Sequence, residues 1–439
     1  MRKIILVLVG VVLVSNVWGQ EKQPSVQAEE IKQSTEVIKN VEPKLLWKKE
    51  FEYPIEHFSV GDNGSVMLIS TRKIDRGITN VKRYLLDNTG KIIREEKNQG
   101  FYTKTGKMRW EEEEKRKSLG GILSNNGKYI MKKYGWWGDN ECKLEVFDLS
   151  GNLLWEKNAA PADVEYEIFS PMGEYIAVIP GYEADFPFLK VYETRTGKLL
   201  WGIEERKEKE RIFLTASFCS DEKIAVYTEG KVALYDTKTG EKYWEKVLLS
   251  KGEYQEGDAA SPPAKLATSK NADIIIIFNE HGYLPNQRKW MENSKIFSLN
   301  DKGAVRWKYE NPEETGWLKM SNTGKFIMVG FAKKGYLLFD NNSGKILWEK
   351  NGPGVWGEFT LDDKYILATV AIDKQEGKKG QIYRLIDVNN GDIFRTNMKI
   401  ENDEYKAYKL LDTKLIFTDK DKTIYFFDIK NFFPEDNQK

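Results

Sequence analysis

Histidine and cysteine are almost absent from this chain, with two of each in 439 residues. The histidines, His57 and His281, leave few members for a Ser-His-Asp or Cys-His arrangement. No GxSxG elbow, Walker-type phosphate loop or HExxH helix is present either. Cys142 and Cys219 do not have the spacing of a metal knuckle; they read as buried free thiols, with a disulfide between their non-neighbouring repeats as the alternative. Charge of one sign is missing as well: 68 basic residues face 67 acidic ones, interspersed, for a net +1. That balance gives no electrostatic case for nucleic acid or an anionic membrane surface. The one sustained apolar run, Ile4 to Trp18, is too short to span a bilayer comfortably. It follows a charged Met1-Arg2-Lys3, and Val17 and Gly19 suit cleavage before Gln20. Residues 1–19 are therefore expected to be an export signal, with a retained anchor as the alternative. With no cysteine near that point, a lipid anchor is not expected. Residues 20–43 are polar and aperiodic and read as a disordered spacer.

What the chain has in abundance is tryptophan, and it is placed periodically. The stretch from Phe339, FDNNSGKILWEKN, is an apolar strand, a tight turn closed by Gly344, and a second strand ending at Trp348. Sisters begin at Phe147 (FDLSGNLLWEKN), Tyr192 (YETRTGKLLWGIE), Tyr235 (YDTKTGEKYWEKV) and Phe297 (FSLNDKGAVRWKYE). Weaker ones begin at Leu385 (LIDVNNGDIFRTN) and Tyr84 (YLLDNTGKIIREE). From Gly151 through Gly197, Gly240, Gly303 and Gly344 to Gly391, the turn glycines step by 46, 43, 63, 41 and 47 residues. A period of roughly 40 to 45 residues is that of a four-stranded propeller blade. Each hairpin is preceded by another strand pair, as in FSPMGEYIAVIP from Phe169 and MSNTGKFIMVGF from Met320. The expectation is an all-β propeller over residues 44–432, with eight blades or, alternatively, seven, and a tail at 433–439. The uncertainty in number comes from FYTKTGKMRWEEEE at Phe101: either it or the hairpin at Gly90 is an extra pair in the first blade. KLLWKKEF from Lys44 looks like a last strand without its predecessors, and the final repeat lacks a last strand. The N-terminal strand is expected to complete the C-terminal blade and close the ring.

Within each blade the first-to-second and third-to-fourth turns are short. The second-to-third connections (133–141, 180–187, 279–293 and 371–380) are expected to be long loops, as are links between blades such as 204–211 and 250–264. Alternating strand direction puts both long classes on one face, where binding groups on rigid scaffolds usually sit. Candidate binding residues there are Trp136, Trp137, Tyr182, Phe186, Tyr283 and Trp290. Exposed aromatics among glycines and polar residues are the material of interaction hot spots, although covering blade ends is their simpler duty. A second set, His57, Tyr166, Lys265, Trp317 and Trp356, precedes the first-strand turns and could ring the mouth of the axial channel. Structural plugging is the plainer reading of that set. Acid runs such as Glu111 to Glu114 read as solvated surface, and the loop acids Asp139, Asp185 and Asp258 have no ligand spacing.

With its recurring D-x-x-T-G-K-x-L-W pattern, best at TRTGKLLW, TKTGEKYW and NSGKILW, the chain resembles the PQQ-like (quinoprotein-type) and WD40-like propeller repeat families from Lys44 to Asp428. The resemblance implies that the Gly and Trp dock blade to blade. The quinoprotein dehydrogenases of this fold bind pyrroloquinoline quinone and calcium with a vicinal cysteine pair, which this chain lacks. The noncatalytic branch, which includes the eight-bladed subunit assisting outer-membrane barrel assembly, is the better match in architecture; the missing lipidation cysteine keeps its role from being carried over. The expectation is an exported, periplasmic or extracellular scaffold that binds a protein or peptide, without catalytic residues, cofactor or metal. A quinone-dependent dehydrogenase and a glycan-binding propeller are the alternatives.

Overall fold

The computed structural model describes residues 44–433 apart from 63, 76–77, 103–107, 111–120, 135–141, 160–165, 180–188, 204–213, 229, 250–264, 285–288, 312–314, 332–334, 351–353, 372–380, 396–404, 412 and 420–421. Its strands form eight antiparallel sheets, the blades of an eight-bladed propeller. In chain order the blades occupy 55–110, 121–159, 166–203, 214–247, 265–311, 315–350, 354–395 and 405–428. The eighth is completed by Lys44–Glu50, which pairs antiparallel with Thr423–Asp428 from Lys44 opposite Asp428 to Glu50 opposite Thr423. The ring is thus closed by strand pairing between segments from the two ends of the fold, which gives the last sheet four strands like most of the others.

The disputed hairpin resolves in register. The pair around Gly90 is the regular third and fourth strand of blade 1. Met108–Trp110 pairs with the far end of that fourth strand, Gly100 opposite Trp110, and adds a fifth strand.

Blades stack face to face, so a central strand is buried on both sides and reads as a continuous apolar run. Ile274 to Ile277 of blade 5 are all buried. Because alternate side chains leave a strand on opposite faces, Ile274 and Ile276 join the core shared with blade 4, and Ile275 and Ile277 the core shared with blade 6. Fourth strands, on the outside, are the opposite case: Lys242–Val247 is largely exposed except for Trp244.

What binds one blade to the next is the tryptophan of each fourth strand. Trp307 of blade 5 lies on the third-to-fourth turn of blade 6, its ring stacked on Phe339 at 5.4 Å and its Nε1 donating to Asn341 O at 2.7 Å. Gly344 closes that turn at φ +70°, and a Cβ on it would sit 2.6 Å from the Trp307 Cγ. This glycine is needed twice, for its backbone angle and for the indole lying where a side chain would be. The same bond recurs from Trp47 to Asn88 O, Trp155 to Thr194 O, Trp201 to Thr237 O, Trp244 to Asp301 O and Trp348 to Val388 O, between 2.6 and 3.0 Å.

Two seams depart from this pattern. Between blades 1 and 2 the tryptophan position holds Arg94, whose guanidinium lies over Gly151. Burial lowers its pKa, and the Asp148 carboxylate opposes that shift. Arg94 pairs with Glu96, which also takes Lys132 Nζ at 2.8 Å and lies 3.7 Å from Arg83 Nη1. Arg83 and Lys132 are 2% and 3% exposed, so charge does here what an indole does elsewhere. Between blades 7 and 8 no third-to-fourth turn is present, because the third and fourth strands of blade 8, Thr423–Asp428 and Lys44–Glu50, come from distant parts of the chain. A short 3-10 turn, Lys430–Phe432, leads into Phe433, which packs on Tyr365 with ring centroids 5.2 Å apart. The first residue of the expected tail is therefore part of a seam.

Trp348 is 2% exposed. Its replacement by alanine is expected to cost about 3–5 kcal/mol in denaturant unfolding, as truncation of a buried aromatic does. Glu96→Ala should cost about 3 kcal/mol, because it removes a carboxylate shared by buried cations; a change near zero would show that the charges of this seam are solvated.

Candidate functional site

The two faces of the ring differ in how they are tied down. On the short-turn face the first-to-second turns are bonded to one another across seams. Asp62 N donates to Asn125 O at 2.7 Å, and Asn126 Nδ2 donates to Met172 O. Asp363 of blade 7 accepts from Asn322 N and Thr323 N of blade 6, both at 2.8 Å. Lys409 of blade 8 pairs with Asp62 at 3.1 Å. With the indole contacts just outside them, these bonds commit the polar groups of this face to holding the ring together.

The opposite face is where hairpins outgrow the blade. In blade 6 the second and third strands, Phe326–Phe331 and Gly335–Asp340, have six residues each. In blade 5 the same two strands, Ile274–Leu284 and Lys289–Leu299, have eleven. Five extra residues at about 3.3 Å each carry the tip roughly 16 Å farther. The expected loop over 279–293 is thus mostly strand: the ladder continues to Leu284 opposite Lys289, and the connection is 285–288. Two arms of equal length in unbroken register pair their inward-facing backbone groups with each other, which a loop of that length could not do. Blade 1 has the second large extension, with Val66–Asp75, Ile78–Asp87 and Ile92–Tyr102 of ten, ten and eleven residues. In a ring of eight, blades 1 and 5 stand opposite each other.

Of the six aromatic candidates, the structure brings two together. Tyr283 and Trp290 are directly opposed in the blade 5 ladder, one pair from its end. Trp136, Trp137, Tyr182 and Phe186 lie outside the described residues.

The five expected channel-mouth residues occupy equivalent first-strand positions, each four residues before the one that opens the turn. Their surroundings differ. Lys265 reaches into the next seam, where Nζ donates to Thr315 O at 2.6 Å and to Gly316 O. Trp317 is buried between blades 6 and 7, over Gly330 and Gly357. His57 is half-buried; burial holds its pKa below the ordinary value against the pull of Glu56, so the imidazole is neutral at pH 7. Its ladder partner is Ser70, and among the described residues neither His57 Nδ1 nor Ser70 Oγ has a hydrogen-bond partner. Tyr166 opens the ladder of its blade opposite Ile179, and Trp356 forms the second pair of its own, opposite Thr369.

Cys219 is a free, buried thiol in the core between blades 4 and 5. Among the described residues no group of three or more His, Cys, Asp or Glu is placed to hold a metal ion, and no helix is long and apolar enough to cross a membrane.

Residues 188–431 match the family model described as outer membrane protein assembly factor BamB, PQQ_2. That is more than half of the chain. It belongs to this family. No curated protein sequence matches. Among solved structures, the C-terminal WD40 domain of Sif2 is similar at a TM-score of 0.53 and 11% identity, with 90% of this chain and 99% of that one covered. BamB from Moraxella catarrhalis is similar at 0.51 and 11%, with 88% and 99% covered. At these identities the likeness concerns the fold, and family membership rests on the sequence model.

Burial pushes the Cys219 thiol up to about 12. The thiolate is the reactive form, so Cys219 should resist a thiol reagent in the native protein at pH 8 and react when the ring is unfolded. Labelling of Cys219 in the native state, read by mass spectrometry of the digested protein, would contradict its burial.

Proposed function

We propose that this propeller is an exported, noncatalytic scaffold that captures a protein or peptide on its long-loop face, between the raised hairpins of blades 1 and 5. The observation that carries this reading is the asymmetry of the two faces. One is consumed by cross-seam bonding, and the other lifts backbone of fixed register beyond the ring at two opposed places. A rigid hairpin loses little conformational entropy on binding, which favours it as a docking element over a loop of equal length. The Tyr283 and Trp290 pair supplies two aromatic residue types of the kind that dominate interface energies. The family is named for outer membrane protein assembly, which supports a polypeptide as the partner and the cell envelope as the location. Trp136, Trp137, Tyr182 and Phe186, in second-to-third connections of the same face, would extend the surface through blades 2 and 3.

Cross-linking and pull-down from the native envelope should recover a specific polypeptide with the wild-type chain. Recovery should fall at least tenfold with Tyr283→Ala/Trp290→Ala, at an unfolding midpoint close to wild type. Undiminished capture by that variant, and by Trp136→Ala/Trp137→Ala, would remove the long-loop face from the proposal. Calorimetry with pyrroloquinoline quinone and calcium is expected to give no stoichiometric uptake; tight uptake would return the dehydrogenase reading.

A further inference from the structure

The seam between blades 6 and 7 contains buried hydrogen-bond donors for which the described residues offer no acceptor. Two ladder rows face each other there. Blade 6 contributes Trp317, Gly330, Tyr336 and Lys350, each paired with the next across its four strands. Blade 7 contributes Gly357, Ala368, Arg384 and Arg395 in the same way. The rows are in contact: the Trp317 ring lies against the backbone of Gly357, and Arg384 is close enough to the Tyr336 hydroxyl to affect its ionisation. Neither row contains a carboxylate, and together they hold three basic residues.

Trp317 and Tyr336 are 5% and 3% exposed; among the described residues Trp317 Nε1 and Arg384 Nε have no hydrogen-bond partner, and the Tyr336 hydroxyl, within reach of the Arg384 guanidinium, finds no acceptor for its own proton. Burying such groups unpaired is costly, and native proteins rarely do it without a ligand or water to complete the set. The chemistry of the set is one-sided. An indole N–H and a guanidinium can only donate. A phenol is protonated at neutral pH in any case, and burial pushes this one up to about 12 against the charge and hydrogen bond of Arg384, so it too has a proton to give. Glycine at 330 lets the indole cross the second strand, since a Cβ there would collide with Trp317 Nε1 itself. Tyr336 is the second residue of its strand, Gly335–Asp340, next to the second-to-third connection. The row therefore lies at the long-loop end of the seam.

We propose that this seam is a binding site for a small oxyanion, a free carboxylate or phosphate, held by the Arg384 guanidinium, the Tyr336 hydroxyl and the Trp317 indole N–H. Arginine suits either group, because its planar fork matches two oxygens at once. The site is distinct from the hairpin surface and does not depend on it.

The test uses the full chain with tryptophan indoles labelled with 15N, the Trp317 resonance being assigned by its loss in Trp317→Phe. Sodium acetate and sodium phosphate are titrated separately against sodium chloride at equal ionic strength. The expected result is a saturable shift of the Trp317 N–H with at least one of the two anions and none with chloride. Affinity should fall about tenfold to a hundredfold in Arg384→Gln, the loss of one charge-assisted hydrogen bond, and by a smaller factor in Tyr336→Phe, which keeps the ring. Response to acetate alone or phosphate alone supports the proposal and assigns the anion. No saturable shift with either, or equal affinity in wild type and both variants, overturns it and leaves water as the occupant.

Discussion

An indole lying flat on a glycine turn is the contact on which the ring depends. A four-stranded sheet of six-residue strands cannot bury both its faces, so each blade is stable only between two others. The seam must then fix how far one sheet is rotated against the next. The tryptophan does this with one bulky ring and one directional bond: stacking sets the distance, and donation from Nε1 to a turn carbonyl sets the angle. In this chain that contact recurs at six seams with a spread of only 0.4 Å in bond length. The glycine beneath it is as necessary as the ring above. A methyl group at 344 or 391 would occupy space that the indole of the preceding blade already fills.

This is why so much of the fold was legible in the sequence. Gly344 and Trp348 are four residues apart on one chain, yet each makes its contact with a different neighbouring blade, so the motif encodes both sides of a seam in a single short stretch. The ring closure was legible for the same reason, since Trp47 without a preceding turn glycine, and a final repeat without a tryptophan, are two halves of one blade. Arg94 could have been read as a substitute from its place four residues after Gly90. Its partners Arg83, Glu96 and Lys132 could not, because they come from three strands whose register only the folded sheets define.

The candidate sites were less legible because no repeat constrains them. Residues 279–293 read as a loop since Glu280, His281, Asn286, Gln287 and Arg288 interrupt any apolar alternation. Residues 279–284 and 289–293 are strand all the same, because the ladder of blade 5 runs on without a break to Leu284 opposite Lys289. Trp317 shares its register position with His57 and Lys265 but not its surroundings. What sends it into the seam is glycine at 330 and 357, two strands with no side chain in its path, and that signal becomes visible only once the blades are aligned on each other.

The seams also show which parts of such a ring are free to vary. The docking contact has a single workable geometry on its short-turn side, and where it changes, at Arg94 and at Phe433, another group takes over the same place. Toward the long-loop face the sheets have already been fixed, so side chains there need only avoid collision. That freedom allows one seam to carry an ionic cluster around Glu96 and another a set of buried donors in rows that contain no carboxylate. A repeat that needs its anchor on one side only leaves the other side of every seam, and the face above it, open to acquire chemistry. The raised hairpins of blades 1 and 5 and the unpartnered donors between blades 6 and 7 all lie on that side.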